Sequence, residues 1–118
     1  LNNASYYGRV FARSGGVRDA VEEVLRELEI KPEQFQLKPL ACSGLEECKL
    51  ALLKASKGIL EENFIEGMAC EQGCIGGPGC LTHGPKEKAM VDKYGRLALE
   101  KKVKDAVVIF DVLGGAEE

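Results

Sequence analysis

The sequence predicts an α/β fold, a small parallel sheet with packed helices, formed as a single domain over residues 1–118. Three observations predict it. Apolar residues recur at helical spacing in three segments, two short apolar runs flank the second of these, and a cysteine- and glycine-rich loop follows the second run. Strand, helix and strand in this order indicate a parallel pair joined by a right-handed crossover.

The first helix is predicted over Val17–Leu28, where apolar residues mark one buried helical face. Ser14–Gly16 supplies a start and Lys31–Pro32 a stop. A helix N-terminus behind two glycines could hold an anion, although two glycines alone are a weak signal. A simple helix cap is therefore the favoured interpretation.

The first strand is predicted over Phe35–Ala41, with Pro39 placing it at an edge or ending it early, because proline cannot donate to a ladder. Gly44–Lys57 is predicted to be the second helix, and Asn63–Ala69 the second strand. The expected inner stripe of this helix contains Leu45, Cys48, Leu52 and Ala55, widened by Leu53.

Gly84–Pro85 opens the third predicted helix, with proline in the first turn, where a missing N–H costs nothing. Gly95 weakens the middle of this helix, which indicates close packing or a break. The run Asp105–Phe110 is expected to be a last strand or a docking segment. The expected inner face of the third helix contains Met90, Val91, Tyr94, Leu97 and Ala98.

Composition limits the classes of partner. With 45% hydrophobic residues, 30% charged residues and a net charge of -3, the chain has no electrostatic case for binding nucleic acid or anionic lipid. No apolar run approaches the roughly 20 residues that cross a bilayer, and the N-terminal residues lack the apolar core of a signal peptide. We therefore expect a cytoplasmic protein without a nucleic-acid or membrane partner.

The cysteine content favours metal or redox chemistry. Five cysteines is an odd number, and without an export signal it predicts reduced thiols rather than a disulfide framework. Cys42 follows the first strand and would emerge at the same sheet edge as the glycine-rich loop, but one loosely placed thiol is interpreted as structural. Cys48 lies in the apolar helical stripe and is interpreted as a small core residue.

The loop after the second strand contains the other three thiols, Cys70, Cys74 and Cys80. Iron–sulfur clusters are held by thiolates, and the surrounding backbone must come close enough to donate N–H groups to the sulfurs. Glycine permits that approach, while Pro78 stiffens the turn. The glycines that remove β-carbons beside a bulky cofactor are Gly73, Gly76, Gly77 and Gly79, of which the first three are candidate cofactor-binding residues.

Two other interpretations use the same loop. The first is a zinc site, a Cys₃His tetrahedron formed by Cys70, Cys74, Cys80 and His83 in a small binding module. Its ligand count is right, but zinc ligands more commonly arrive as two separated pairs. The second is a flexible turn with incidental thiols.

Three segments of the chain resemble the catalytic domain of [FeFe] hydrogenases. Phe64–Gly77 (FIEGMACEQGCIGG) is similar to the third signature motif of that family, in which a strand ends in Met-Ala-Cys before a second cysteine and a glycine run. Gly8–Val21 and Leu37–Leu53 are similar to segments that precede this motif. The resemblance covers about Tyr7–Leu81 in the right order. It implies that the chain is the carboxyl-terminal part of a hydrogenase catalytic domain.

The resemblance also implies a cofactor and roles for three residues. The cofactor is the H-cluster, a [4Fe-4S] cubane joined through a cysteine thiolate to a di-iron subcluster carrying CO, cyanide and a bridging dithiolate. Cys70 corresponds to a cubane ligand. Cys74 corresponds to the ligand whose sulfur bridges the cubane and the di-iron unit, which makes it the catalytic cysteine. Met68 corresponds to an apolar neighbour of the di-iron unit.

The implied reaction is the reversible reduction of two protons by two electrons to dihydrogen, with a ferredoxin-like electron carrier as partner. The family's two further cysteine motifs would come from an upstream part of the same catalytic domain, so this segment alone is predicted to be inactive. The chain departs from the family at Gln72, where glycine is usual, and at Pro78–Cys80, where the usual sequence is Gly-Gln-Pro. A hydrogenase-like iron–sulfur scaffold without hydrogenase activity is therefore a further alternative.

Overall fold

The structure is a computed structural model that describes residues 4–114, with side chains described as far as Val108. Helices and a short parallel sheet alternate, which confirms the predicted α/β class. The elements in chain order are α1 (Tyr6–Arg9), α2 (Gly16–Glu27), β1 (Pro39–Ser43), α3 (Leu45–Ser56), β2 (Phe64–Met68), a 3₁₀ turn (Cys74–Gly76), α4 (Pro85–Arg96) and α5 (Val103–Gly114).

The sheet contains the predicted parallel pair. β1 and β2 align from Pro39 opposite Phe64 to Ser43 opposite Met68, and α3 forms the crossover and contacts both strands. The first strand begins later than predicted because the Phe35 amide closes a turn on the Lys31 carbonyl (3.1 Å). β1 therefore starts at the proline, where a strand needs no donor.

The helix α2 agrees with prediction at its start but ends before the predicted stop at Lys31–Pro32. Glu29 adopts a left-handed φ of 58°. Its amide bonds the Arg26 carbonyl and the Ile30 amide bonds the Leu25 carbonyl, each at 3.0 Å. This is the Schellman arrangement, which satisfies the last carbonyls of the helix.

The predicted inner face of α3 is only partly right, because Cys48 faces the sheet whereas the predicted leucines and Ala55 are exposed. The residues that face the sheet are Ala51, which is buried, and Cys48, which is half-buried. Leu45 and Leu52 are 70% and 61% exposed, and Leu53 is also exposed. A two-stranded sheet is narrow, so only one row of small side chains at i, i+3 spacing meets it, and the larger leucines lie beyond its edges.

The predicted face of α4 is also partly wrong. Three of its five members, Met90, Tyr94 and Leu97, are exposed. Gly95 is instead the point of closest packing, because a β-carbon there would lie 2.8 Å from a ring carbon of Tyr6. This confirms close packing, and because α4 ends one residue later at Arg96, Gly95 lies in the last turn of the helix and not in its middle.

The segment Asp105–Phe110 lies in the helix α5, so the strand alternative is wrong. Val103 and Ala106, three residues apart, are its half-buried positions among the described side chains, which is helical periodicity. α5 docks on α2, and the Lys104 amide donates to the Glu27 carboxylate (3.2 Å).

The described interior is small and contains charged groups. Its buried apolar residues are Val10, Cys42, Ala51, Ile75 and Ala98, and its buried polar residues are Ser5, Arg13, Glu23 and Glu66. Because a buried charge is costly unless it is partnered, the contacts of the arginine and the glutamates contribute to the architecture as much as apolar packing does. Within residues 4–114, no helix is long and apolar enough to cross a membrane.

Candidate metal centre

The cysteine loop, Cys70–Cys80, leaves β2 at the carboxyl end of the parallel sheet. The Gly44 amide donates to the Met68 carbonyl (2.8 Å), which extends the ladder by one step past β1. The Gln72 amide then donates to the Ser43 hydroxyl at the end of β1 (2.7 Å). The loop therefore lies at the sheet edge where the sequence placed it, and where α/β folds tend to hold ligands.

Gly73 and Gly76 allow the loop to fold onto itself and onto its neighbour. A β-carbon on Gly76 would lie 1.8 Å from the Glu71 carbonyl oxygen, and one on Gly73 would lie 2.7 Å from the Ser14 amide nitrogen. Gly73 also has a φ of 85°, which side chains disfavour. These two glycines are needed for the backbone packing of the loop whether or not a cofactor is bound.

Gly77 differs from them because it faces a thiol. A β-carbon there would lie 3.4 Å from Cys70 Sγ and 3.1 Å from the Cys74 carbonyl oxygen. The missing side chain leaves bare backbone beside the sulfur. This is the close approach that a thiolate-bound cluster requires of the surrounding chain.

A short segment between α1 and α2 holds the cysteine loop from its other side. We call this segment, Ala12–Ser14, the clamp. The Ser14 amide donates to the Gln72 carbonyl (2.9 Å), and the Ile75 amide donates to the Ala12 carbonyl (3.1 Å). These bonds fall at Gln72, inside the turn that joins Cys70 to Cys74, and at Ile75, directly after Cys74, so the clamp holds the part of the turn around Gly73.

The thiols of the loop differ in exposure and partners. Cys74 is exposed and Cys70 is half-buried. The Cys80 thiol donates to the Cys74 carbonyl (3.2 Å), and His83 Nε2 donates to the Gly77 carbonyl (2.8 Å). Cys80 and His83 thus bond the loop backbone.

The described residues do not assemble the alternative zinc site. Over residues 4–114, no group of three or more histidine, cysteine, aspartate or glutamate side chains is placed to hold a metal ion. The two thiols matched to the hydrogenase motif, Cys70 and Cys74, therefore have no third donor in this part of the chain.

The remaining two thiols have the environment of structural residues. Cys42 is 2% exposed in β1, and burial raises the pKa of its thiol, with Cys48 and Glu47 nearby adding to the effect. The Cys48 thiol lies 3.5 Å from the Met68 carbonyl, to which it donates. These contacts agree with the interpretation of both as packing residues.

Sequence reasoning missed Glu66, which stands in the middle of β2 and is buried. Its carboxylate accepts the Gly15 amide (2.9 Å) and the Val17 amide (3.1 Å) at the start of α2. The helix N-terminus therefore binds an anion, but the anion is a side chain of the protein. The available signal was a glutamate inside an otherwise apolar strand.

Arg13, in the clamp, was also missed. Its guanidinium is buried and donates to Asp92 (2.5 Å), Asp19 (2.9 Å) and the Ser14 carbonyl (3.2 Å). Although burial lowers the pKa of the guanidinium, the hydrogen bonds that it donates to the two aspartates raise this pKa above its ordinary value. Its main partner is 79 positions away, so no local pattern could indicate the contact.

A parallel strand pair that ends in a glycine-lined loop with two thiols defines the class, an α/β domain with thiols at the carboxyl edge of its sheet. The particular family is identified by sequence comparison. The family model for the iron only hydrogenase large subunit, C-terminal domain, matches residues 1–78, and the chain belongs to that family. Membership implies a hydrogenase parent, an oxidoreductase, and iron–sulfur cofactors. No curated protein matches the chain significantly.

Proposed function

We propose that the chain supplies two cysteine ligands, Cys70 and Cys74, to the H-cluster of an iron-only hydrogenase that reduces protons reversibly to dihydrogen. The observation that carries the proposal is the loop between them. The clamp bonds it at Gln72 and directly after it at Ile75, and bare backbone at Gly77 lies beside Cys70 Sγ. The family match over residues 1–78 includes both thiols.

The donor set fits one part of such a centre. Thiolates are the protein ligands of [4Fe-4S] clusters, which take about four of them. Residues 4–114 bring no third metal-binding side chain to the two thiols. The remaining donors must therefore come from elsewhere, and we propose an upstream part of the same catalytic domain as their source.

Exposed apolar surface supports such a neighbour. Leu45, Leu52 and Leu97 are each more than half exposed, on α3 and just past the end of α4. Leu45 and Leu52 are seven positions apart and therefore share one face of α3, and apolar faces that are left exposed in this way mark interfaces with other protein. They are what a segment of a larger domain would present to the rest of that domain.

When bound, the cluster and its di-iron unit supply the redox chemistry in which two protons and two electrons form dihydrogen. The chain's own residues would hold the cluster and fix its orientation. Cys70 would be a ligand of the [4Fe-4S] part of the centre, and Cys74, the more exposed thiol, would hold the centre on the side of its di-iron unit. Met68, half-buried at the end of β2, provides an apolar wall that limits water. The electron partner that we propose is a ferredoxin-like carrier.

The test uses the intact protein, prepared without oxygen and matured with its cofactor. We expect bound iron and hydrogen evolution with a reduced carrier, and we expect Cys70→Ser and Cys74→Ser to lose most of both. Cys80→Ser is the matched control in the same loop and should retain its iron. An iron-free protein would contradict the proposal, as would zinc that is lost in Cys80→Ser and in a His83→Ala variant. Iron without hydrogen evolution would support the scaffold alternative instead.

A further inference from the structure

Arg13 joins two parts of the chain that the family match separates. Its guanidinium is contributed by the clamp, inside residues 1–78, whereas its closest partner, Asp92, lies on α4, outside them. The second partner, Asp19, lies on α2 (2.9 Å). One buried cation therefore bonds two helices and its own loop at once.

The backbone on either side of Arg13 grips the cysteine loop. The Ala12 carbonyl accepts from the Ile75 amide, and the Ser14 amide donates to the Gln72 carbonyl. Arg13 is the single residue between these two bonding positions. A shift of its backbone would move one or both bonds, because neighbouring peptide planes share only two soft dihedrals. The guanidinium is tied to this backbone, because it donates to the Ser14 carbonyl (3.2 Å).

The helix α4 has a fixed position against α1 as well. The Arg9 guanidinium lies 4.5 Å from the centre of the Tyr94 ring and donates to the Tyr94 carbonyl (3.1 Å). Gly95 packs against Tyr6 and Val10 without room for a β-carbon. Asp92 is thus held by a helix that cannot slide freely, and it is a rigid anchor for Arg13.

We propose that Arg13 is a positioning residue, which through Asp92 makes α4 a support for the geometry of Cys70 and Cys74. This inference rests on the proposed function for its consequence at the metal centre. Arginine suits the role because its planar fork reaches separate acceptors in fixed directions, which a lysine ammonium does not do. Burial strengthens the coupling, because a guanidinium deprived of one carboxylate must find another partner or move.

The test is made in the intact protein with Asp92→Ala, which removes the acceptor and keeps a strong helix former in α4. Lys93→Ala is the matched control on the same helix, at an exposed position. The first readout is hydrogen exchange without iron at the Ser14 and Ile75 amides. We expect about tenfold faster exchange in Asp92→Ala, because these bonds open when the anchor is lost. We expect no change in Lys93→Ala, and unchanged protection of the Cys42 amide in both variants.

The second readout is the electron paramagnetic resonance spectrum of the iron-loaded protein. We expect an altered spectrum in Asp92→Ala and in Arg13→Lys, which keeps the charge and loses the fork, and at least partial recovery in Asp92→Glu. Unchanged exchange at Ser14 and Ile75 in Asp92→Ala would overturn the positioning role, whatever metal is bound. Absence of iron from the unaltered protein would overturn the proposed function, while the exchange data would still decide the coupling of α4 to the loop.

Discussion

Gln72 carries a backbone conformation that its side chain disfavours. Its φ is 69°, in the left-handed region, directly before Gly73. The hydrogenase motif that this loop resembles usually has glycine at the position of Gln72, so the departure noted in the sequence falls where glycine would relieve strain. The clamp explains why the conformation persists, since the Gln72 carbonyl and amide are both bonded, to Ser14 and Ser43.

The variant Gln72→Gly should be more stable than the unaltered chain. A non-glycine residue in the left-handed conformation costs about 1–2 kcal/mol, and glycine would remove this cost. The greater conformational freedom of glycine in the unfolded chain offsets part of the resulting stabilisation. We expect a net rise of about 0.5–1 kcal/mol in the free energy of unfolding, measured with urea. Glu71→Gly, at a residue without a positive φ, is the control and should lower stability. An equal loss of free energy of unfolding in both variants would show that the backbone of Gln72 is not strained.

Deprotonation of the Cys42 thiol should lower the free energy of unfolding at alkaline pH. Burial raises the pKa of its thiol above the ordinary value of 9.0, so the folded chain keeps a proton that the unfolded chain releases. The contribution is complete below the ordinary pKa and is lost as the pH rises toward the raised one. Urea unfolding between about pH 8 and pH 10.5, a range that spans the ordinary pKa of 9.0, should show a steeper decline in the unaltered chain than in Cys42→Ala. Parallel declines would show that this thiol titrates alike in both states.

At the scale of elements, the sequence patterns predicted correctly those bounds of helices and strands that depend on neighbouring residues. β2 lies within one residue of its predicted bounds and α2 begins within one residue of its predicted start, because apolar spacing and cap residues specify them directly. The buried face of α3 depends on the width of the sheet. The start of β1 depends on the turn in which the Phe35 amide donates to the Lys31 carbonyl, and the spacing of apolar residues predicts neither of these features. α5 was ambiguous for the same reason, because a short apolar run fits a strand or a helix until its neighbour is known.

The bond from β2 to α2 should be a large contribution to stability. Glu66→Gln replaces one accepting oxygen by an NH₂ group that would face an amide of α2, leaving it without its acceptor. Because hydrogen bonds to charged groups are worth about 1.5–3 kcal/mol, we expect a loss of about 2 kcal/mol in the free energy of unfolding. Glu22→Gln, exposed on the same helix, should change it by less than about 0.5 kcal/mol. A comparably small effect at both sites would exclude the capping role.

One added methyl group at the contact between α4 and α1 should also lower the stability of the protein. Gly95→Ala places a β-carbon against the Tyr6 ring and Val10, so we expect a loss of about 1–3 kcal/mol by thermal or urea unfolding. Gly8→Ala on α1 is the matched control. A β-carbon there has its nearest neighbours at 3.8 Å, and alanine favours the helix, so its effect should be neutral or stabilising. Tolerance of Gly95→Ala would mean that the two helices are not tightly packed.

At the scale of the whole molecule, the sequence indicated where the site lies but not what supports it. The cysteine loop and its sheet edge follow from the order of the strands and the thiol spacing. The clamp, Glu66 and the Arg13–Asp92 pair involve contacts across 49 to 79 positions, which no local pattern encodes. Through Asp92, the residues after position 78, which lie outside the family match, contact the clamp that holds the cysteine loop.

The central claim is that Cys70 and Cys74 hold iron while the other three thiols do not. The most direct measurement is alkylation of the intact, iron-loaded protein under anaerobic conditions, with mass spectrometry reporting each cysteine before and after iron is removed by a chelator. We expect Cys74, the exposed thiol, to be blocked only while iron is bound, Cys70 to behave in the same way, and Cys80 to react equally in both states. Equal labelling of Cys70 and Cys74 with and without iron would contradict the central claim.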